Sequence, residues 1–298
     1  MSTTPIHIVL TFDDRYWAPA YALMRSICLF TTRRKDLVFH LFTSAISPEH
    51  RKLLEQITVE FGAAQTFYDI PNDPNFAPLA QRVRQSGQFP NIVYARILVA
   101  QILPPGIERL VYFDCDMLVR VPVERLYDMD MKGFPLAAVP DYVGAQIVTR
   151  RNLVDPRGIF DPATRYFNSG LLLVDLGKWR KLELDSRFGQ MIADGTLSKI
   201  YFDQDVLNLL FKDNWLELDR FWNLLDPRPI HEQLNPNVLH YTGKKKPWLY
   251  RSRVAFARLY RHAMTNDIFY RYMLERVPAW RRPFIRLVER FNRRYGAR

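Results

Sequence analysis

The chain has 298 residues, a mass of 35.3 kDa and a formal net charge of +11, with 48% hydrophobic and 24% charged residues. That length suits one large domain or two small ones, and it buries a core without disulfide or metal staples. The composition excludes a wholly disordered chain, a collagen and a coiled coil, and the 20 prolines are scattered, which excludes low complexity.

Strand and helix signals alternate from the start. Ile6 to Phe12 is rich in β-branched residues and is predicted as a buried strand. No basic stretch precedes it and Asp13-Asp14 follows it, so it is not read as a signal peptide. Trp17 to Phe30 carries Tyr21, Met24, Ile27 and Cys28 at helical spacing. Leu37 to Phe42 gives a second strand, and Ser47-Pro48-Glu49 opens a helix with serine at the cap and proline in first position. Gln65 to Ile70 is a short third strand. Residues 71–90, with Pro71, Pro74, Pro78, Gly87 and Pro90, read as loop, and Asn91 to Leu103 as a helix ended by Pro104-Pro105-Gly106. Leu110 to Phe113 is a strand that runs into Asp114-Cys115-Asp116. Pro135 to Val139 and Gly170 to Val174 are further buried strands, Tyr201 to Phe211 a helix, and Val238 to Tyr241 a last strand. The alternation predicts an α/β sheet flanked by helices, in which ligands bind beyond the carboxyl ends of the strands.

From Arg251 onward the strand signals stop. Residues 254–276 and 283–295 read as helices separated by Pro278 and Pro283. Residues 251–298 hold thirteen arginines against three acids, a net +10, so residues 1–250 hold only +1. The chain therefore divides into a near-neutral domain, 1–250, and a basic helical region, 251–298. In the last helix Phe284, Leu287, Val288, Phe291 and Tyr295 form an apolar stripe beside Arg286, Arg290, Arg293 and Arg294, a pattern that suits an anionic membrane surface. No stretch approaches the roughly 18 apolar residues of a spanning helix. Two cysteines, Cys28 and Cys115, imply no disulfide framework and a reducing compartment.

Asp114 and Asp116 are alternate residues, which on an extended chain face the same side. Two carboxylates so placed can hold a hard divalent cation at about 2.1 Å, which would offset the charge of a diphosphate, or they are two solvated acids at a strand end. Asp13-Asp14 offers a ligand contact or a helix cap. Asn168-Ser169-Gly170 offers hydrogen bonds and close backbone approach, or a turn. Asp203-Gln204-Asp205 offers a carboxylate and an amide to sugar hydroxyls, or a cap. His240, beside the turn Thr242-Gly243 and Lys244 to Lys246, combines a nitrogen ligand with phosphate-neutralising charge.

Taken in order, Thr11-Phe12-Asp13-Asp14, Tyr94-Ala95-Arg96, Tyr112-Phe113-Asp114-Cys115-Asp116, Phe167-Asn168-Ser169-Gly170, Asp203-Gln204-Asp205 and His240-Tyr241 through Lys246-Pro247-Trp248 resemble the bacterial members of glycosyltransferase family 8. The resemblance runs from about Ile6 to Trp248, and it implies a retaining enzyme with the GT-A mixed sheet. It implies Asp114, Asp116 and His240 as Mn²⁺ ligands, with Mg²⁺ as the alternative ion. Thr11, Asp13, Arg15, Cys115, Gly243 and Lys246 become nucleotide and diphosphate positions. Arg96, Asn168, Ser169, Gly170, Asp203 and Gln204 surround the donor sugar, with Gln204 and Asp203 catalytic. Asp141 and Tyr201 are expected at the acceptor, and residues 142–165 are expected to fold over the donor. Arg15 departs from the family's usual Asn. Lys244 and Lys245 replace smaller or apolar residues and read as solvated loop charge or an anionic contact.

The implied reaction moves a hexose, galactose or glucose, from a UDP-sugar to a glycan or glycolipid acceptor such as lipopolysaccharide, on the cytoplasmic face of the membrane. Two other readings remain. A sugar-nucleotide nucleotidyltransferase would carry a Gly-rich basic loop where this chain has Asp13-Asp14-Arg15-Tyr16. A nucleic-acid-binding protein would use the arginine-rich end, but no zinc, RRM or helix-turn-helix signature supports it, and no nucleic acid partner is expected.

Overall fold

The computed structural model describes residues 4–85, 92–146, 159–160, 164–200, 202–250 and 252–295. The first strand, β1 (Ile6–Asp13), is apolar on both faces and lies inside a parallel set with β2 (Leu37–Ser44), β3 (Ala64–Asp69) and β4 (Arg109–Phe113). A parallel strand covered by helices on both sides needs such a continuous apolar run. Beyond β4 the sheet continues with β7 (Phe167–Asp175), antiparallel to both β4 and β6 (Leu136–Pro140), and ends on β8 (Leu216–Glu217), giving the order β3-β2-β1-β4-β7-β6-β8. A second sheet of three strands has β10 (Val238–His240) between β5 (Met117–Val119) and β9 (Leu224–Leu225).

This topology decides where the polar residues gather. β1 and β4 run side by side, Leu10 opposite Phe113, so the Asp13 turn and the Asp114–Asp116 turn leave the sheet at the same edge. β7 arrives antiparallel with Leu171 opposite Phe113, and the Asp114 N–H donates to the Gly170 carbonyl at 2.7 Å. The second sheet sets His240 opposite Met117, directly after the acids.

Helices cover both faces. α1 (Trp17–Phe30) and α2 (Pro48–Phe61) pack on one side, α2 beginning at the expected cap, where Ser47 Oγ accepts from the His50 N–H at 3.3 Å. On the other side lie α3 (Phe76–Gln85), α4 (Leu184–Ala193) and α5 (Phe202–Phe211). α3 occupies a stretch read from the sequence as loop. Pro74 precedes this helix and Pro78 falls in its first turn, where no donor is needed, and Asp73 Oδ1 accepts from the N–H of Phe76 at 3.1 Å. The helix expected over 91–103 is instead a 3₁₀ segment, Ile92–Leu98, followed by one α-turn, Val99–Ile102.

The single helix expected over 254–276 is two, α6 (Ala257–Met264) and α7 (Asn266–Arg276), broken at Thr265, whose φ is +65°. The last is α8 (Arg282–Tyr295). Tyr260, Met264, Ile268, Phe269, Tyr272, Met273 and Ile285 are buried in the same cluster as α1 and β1. The apolar stripe of α8 divides: Val288 packs inward with buried Ile285, whereas Phe284, Leu287 and Phe291 face out, with Trp280 before them 73% exposed. Among the described residues no helix is long and apolar enough to cross a membrane.

Candidate active site

A cleft of about 1320 Å³ opens over the carboxyl ends of β1 and β4. On its floor Asp114, Asp116 and His240 bring ligand atoms within 4.8 Å of one another. His240 Nε2 lies 3.1 Å from Asp116 Oδ1 and 3.9 Å from Asp114 Oδ2, and His240 is 2% exposed. Its other nitrogen, Nδ1, lies 2.9 Å from the Asn223 side-chain oxygen. That contact orients the ring and presents Nε2 to the carboxylates, the arrangement by which a histidine is held for a metal. Two carboxylates and one imidazole, with no thiolate, form a donor set for a divalent cation. Lys246 Nζ is 2.7 Å from Asp116 Oδ2 and also contacts the Tyr241 carbonyl. Burial opposes the charge on Asp116, but His240 and Lys246 outweigh it and hold its carboxyl far below the ordinary range.

The residues expected at the donor sugar form one largely buried polar network beside this floor. Asn168-Ser169-Gly170, in sequence as plausible a turn as a site, is the interior of β7, opposite a register shift between Ala138 and Val139 of β6. Gly170 is needed for space. A Cβ there would stand 2.4 Å from His240 Cε1 and 2.8 Å from Asp114 Oδ2. Arg96, 4% exposed, reaches Asp114 Oδ1 at 2.8 Å, Asp203 Oδ2 at 3.0 Å and the Ser169 carbonyl at 3.0 Å. Its guanidinium also lies over the Tyr112 ring, 4.4 Å from the centroid. Burial works against the charge of Arg96, yet Asp114 and Asp203 hold the group protonated well above its usual range. Asp203 is raised, first by its own burial and then by Asp114, with Arg96 pulling the other way.

Gln204 is clamped from both ends. Its side-chain oxygen accepts from the Asn168 amide and the Ser169 N–H, each at 3.1 Å, and its amide nitrogen donates to Asp141 at 3.1 Å and the Tyr166 hydroxyl at 3.3 Å. Tyr166 in turn donates to Asp205 at 2.6 Å. Asp141, 7% exposed, thus sits against the amides rather than alone at a strand end. Tyr201, and residues 147–158 and 161–163 of the stretch expected over the donor, lie outside the described residues.

The nucleotide side is more open. Thr11 and Asp13 line the cleft, and Arg15, 80% exposed, pairs with Asp13 at 2.6 Å. Asp13 accepts from the Arg15 N–H and caps the 3₁₀ turn Asp14–Tyr16, while Asp14 accepts from the N–H of Ser47 and from His50. The Cys115 thiol is buried, lies 3.8 Å from the Thr11 carbonyl and is pushed well above the ordinary range by burial, so only the backbone of this residue is offered to a ligand. The Gly243 N–H, expected to face a diphosphate, donates to Asp226 at 2.8 Å. Lys244 and Lys245 are exposed.

Two residues escaped the sequence reading. Asn223, 1% exposed, bridges the His240 ring and the Asn168 side-chain oxygen, to which its amide donates at 2.8 Å. It ties the carboxylate–imidazole group to the amide network. Tyr166 anchors Gln204. Neither stands in a recognisable motif, and only the folded contacts reveal them.

The sequence profile described as glycosyl transferase family 8 matches residues 7–252. General stress protein A of Bacillus subtilis is 26% identical over 278 residues, covering 87% of this chain and 93% of its own length. Lipopolysaccharide 1,2-glucosyltransferase of Escherichia coli is 26% identical over 250 residues, covering 79% of this chain and 71% of its own. Among solved structures, the galactosyltransferase LgtC, in complex with donor and acceptor sugar analogues, superposes with a TM-score of 0.69 at 21% identity, over 93% of this chain and 99% of that one. The likeness in fold agrees with the expected GT-A arrangement, a mixed sheet flanked by helices with a helical C-terminal region.

Proposed function

The chain belongs to glycosyl transferase family 8, and from that premise we propose that it moves a hexose, galactose or glucose, from a UDP-sugar to a hydroxyl of a glycan or glycolipid with retention at the anomeric carbon. The observation that carries this reading is the meeting of Asp114, Asp116 and His240 with the Arg96–Asp203–Gln204–Asn168 network in one cleft. Two carboxylates without a sugar-side network would equally serve hydrolysis or nucleotidyl transfer.

Asp114, Asp116 and His240 would hold the Mn²⁺ or Mg²⁺ ion, which supplies positive charge against the departing diphosphate. Lys246, already at Asp116, adds a second cation on the same side. Lys246 is held in place before reaction, so its orientation would cost little at the transition state. Asp203 is held by Arg96 and Ser169 and is suited to orienting sugar hydroxyls. Gln204 offers its side chain from a rigid clamp, and an amide is a poor nucleophile. Retention then follows from attack on the leaving-group face, with a departing phosphate oxygen taking the acceptor proton. Incubation with Mn²⁺ and a panel of UDP-hexoses is expected to release UDP from one or two donors. Turnover of UTP plus a sugar phosphate, with every UDP-hexose inert, would reject this reading in favour of a nucleotidyltransferase.

The same proposal places the enzyme on an anionic membrane surface on the cytoplasmic side, acting on a lipopolysaccharide or related envelope glycan. Trp280, Phe284, Leu287 and Phe291 project outward among exposed Arg281, Arg282, Arg286 and Arg290. Apolar side chains entering the headgroup region and arginines at anionic lipid act together. The variant W280S/F284S/L287S, which leaves buried Ile285 in place, is expected to lose most co-sedimentation with phosphatidylglycerol vesicles. Undiminished pelleting would dismiss the membrane role.

A further inference from the structure

We propose that α7, which lies beyond the residues matched by the family profile, is part of the donor-nucleotide site: it sets the conformation of the turn after β1 and so the affinity for UDP. This rests on the donor reading above. The turn Asp14–Tyr16 and its cap Asp13 carry side chains assigned to the nucleotide, yet the turn has few bonds of its own. Beside the Asp13 cap and the α2 residues Ser47 and His50, it is held by residues more than two hundred positions away.

The Arg15 carbonyl accepts from the Tyr272 hydroxyl at 2.7 Å and from the Arg276 guanidinium at 3.3 Å. A second line of contacts runs beneath. Asp14 accepts from His50 Nδ1 at 2.7 Å, His50 Nε2 lies 3.2 Å from Glu275 Oε1, and Glu275 Oε2 accepts from the Trp17 indole at 3.1 Å. The His50 ring is stacked on Trp17 at 4.5 Å, and Tyr272 meets the same indole edge-on at 5.9 Å. Trp17 is fully buried and opens α1, so the turn is held at its carbonyl, at its acid and at the residue after it.

A loop ordered in advance does not charge its ordering entropy to the ligand. Tyr272 and Glu275 touch no reacting atom and act through the turn, which makes them positioning residues. Loss of one such hydrogen bond corresponds to a fall in affinity of about three- to tenfold, provided the aromatic packing stays.

The test measures UDP binding by titration calorimetry in the presence of Mn²⁺, with Tyr272→Phe and Tyr272→Phe/Glu275→Gln compared with Tyr270→Phe. Tyr270 is a buried tyrosine on the same helix whose hydroxyl contacts Asn292 instead of the turn. Tyr272→Phe is expected to raise the UDP Kd about three- to tenfold, and the double variant further. The donor KM should rise with kcat little changed, and Mn²⁺ affinity without nucleotide should stay as in the parent. Tyr270→Phe should bind UDP normally. Parent-like UDP affinity in both Tyr272 variants overturns the proposal, as does an equal loss in Tyr270→Phe, which would mark a general weakening of α7. Failure of the parent protein itself to bind UDP would instead overturn the donor reading.

Discussion

Replacing Gly170 by alanine is expected to lower metal-dependent turnover by on the order of 10²-fold or more, the loss that follows when catalytic groups are misplaced by about 1 Å. The added methyl has nowhere to go. It would stand 2.4 Å from the His240 ring, 2.8 Å from an Asp114 oxygen and 2.9 Å from the end of Met117. His240 is tied to Asn223, Asp114 is tied to Arg96, and the Gly170 backbone is bonded on both sides, its N–H to Asn168 and its carbonyl to the Asp114 N–H. The strand, the histidine or the acid must move, and each movement spreads the ion ligands. Gly177→Ala provides the contrast, since its methyl crowds only the far end of the exposed Glu108 side chain, at 2.8 Å, and meets Asp175 Oδ1 at an ordinary 3.5 Å. It should leave activity near the parent level. A Mn²⁺ titration and steady-state rates decide the matter, and parent-like values for Gly170→Ala would remove His240 and Asp114 from the metal assignment.

Removing the charge of Arg96 should cost stability as well as activity. In Arg96→Met two carboxylates, Asp114 and Asp203, lose their buried cation, and breaking such a pair typically costs about 3–5 kcal/mol. Arg96→Lys restores a charge but not the planar fork that spans Asp114 at 2.8 Å and Asp203 at 3.0 Å, so it should recover part of the stability and little of the turnover. The pH dependence follows from Asp203. Its carboxyl is already raised by burial, and Arg96 is the group that opposes the rise. Without Arg96 the folded-state pKa moves further above the unfolded value. A group shifted in that direction stabilises the fold below the unfolded pKa and loses that contribution as pH rises through the folded one. The stability deficit of Arg96→Met should therefore be full at neutral pH and shrink as the solution is acidified. Urea unfolding at several pH values measures it; a neutral-pH loss under about 1 kcal/mol, the worth of an exposed pair, would mean that Arg96 is not the buried counter-ion described.

The sequence exposed what local pattern can carry. β1, β2 and β4 are largely apolar runs, with His7, Thr11 and His40 among them, and Ser47-Pro48 marks the start of α2 to the residue. Asp114-x-Asp116 and His240 stand out by residue type and spacing, and the topology brings them together. What escaped was non-local. Asn168-Ser169-Gly170 has the composition of a turn, and only pairing with β4 and β6 makes it strand. Residues 71–90 look like loop by proline content, yet Pro78 stands in the first turn of α3, where its missing N–H costs no hydrogen bond. Asn223 is one asparagine in an irregular stretch between Trp222 and β9, and nothing nearby announces that it will meet a histidine seventeen residues on. The break at Thr265 is the exception: Thr265-Asn266-Asp267 carries a local helix-start signal, and the Thr265 hydroxyl accepts from the Ile268 N–H. The division at residue 250 follows charge, which is a property of surface; the packing of Tyr260, Tyr272 and Ile285 against α1 follows apolar area, which the charge count does not see.

The antiparallel entry of β7 beside β4 has a consequence for stability as well as place. Asp114 and Leu171 to Val174 belong to a backbone ladder in the middle of seven strands, and disturbing any one of them means opening much of the sheet. The turn Asp14–Tyr16, at the same edge, is a single 3₁₀ turn held by side-chain contacts with α2 and α7, and opening it costs those contacts without unpairing a strand. Free energies of local opening range from near zero at unanchored loops to the full unfolding value at central strands. The cleft thus joins two walls secured in different ways: Asp114 is held by the backbone ladder, and the turn proposed to face the nucleotide by side chains alone.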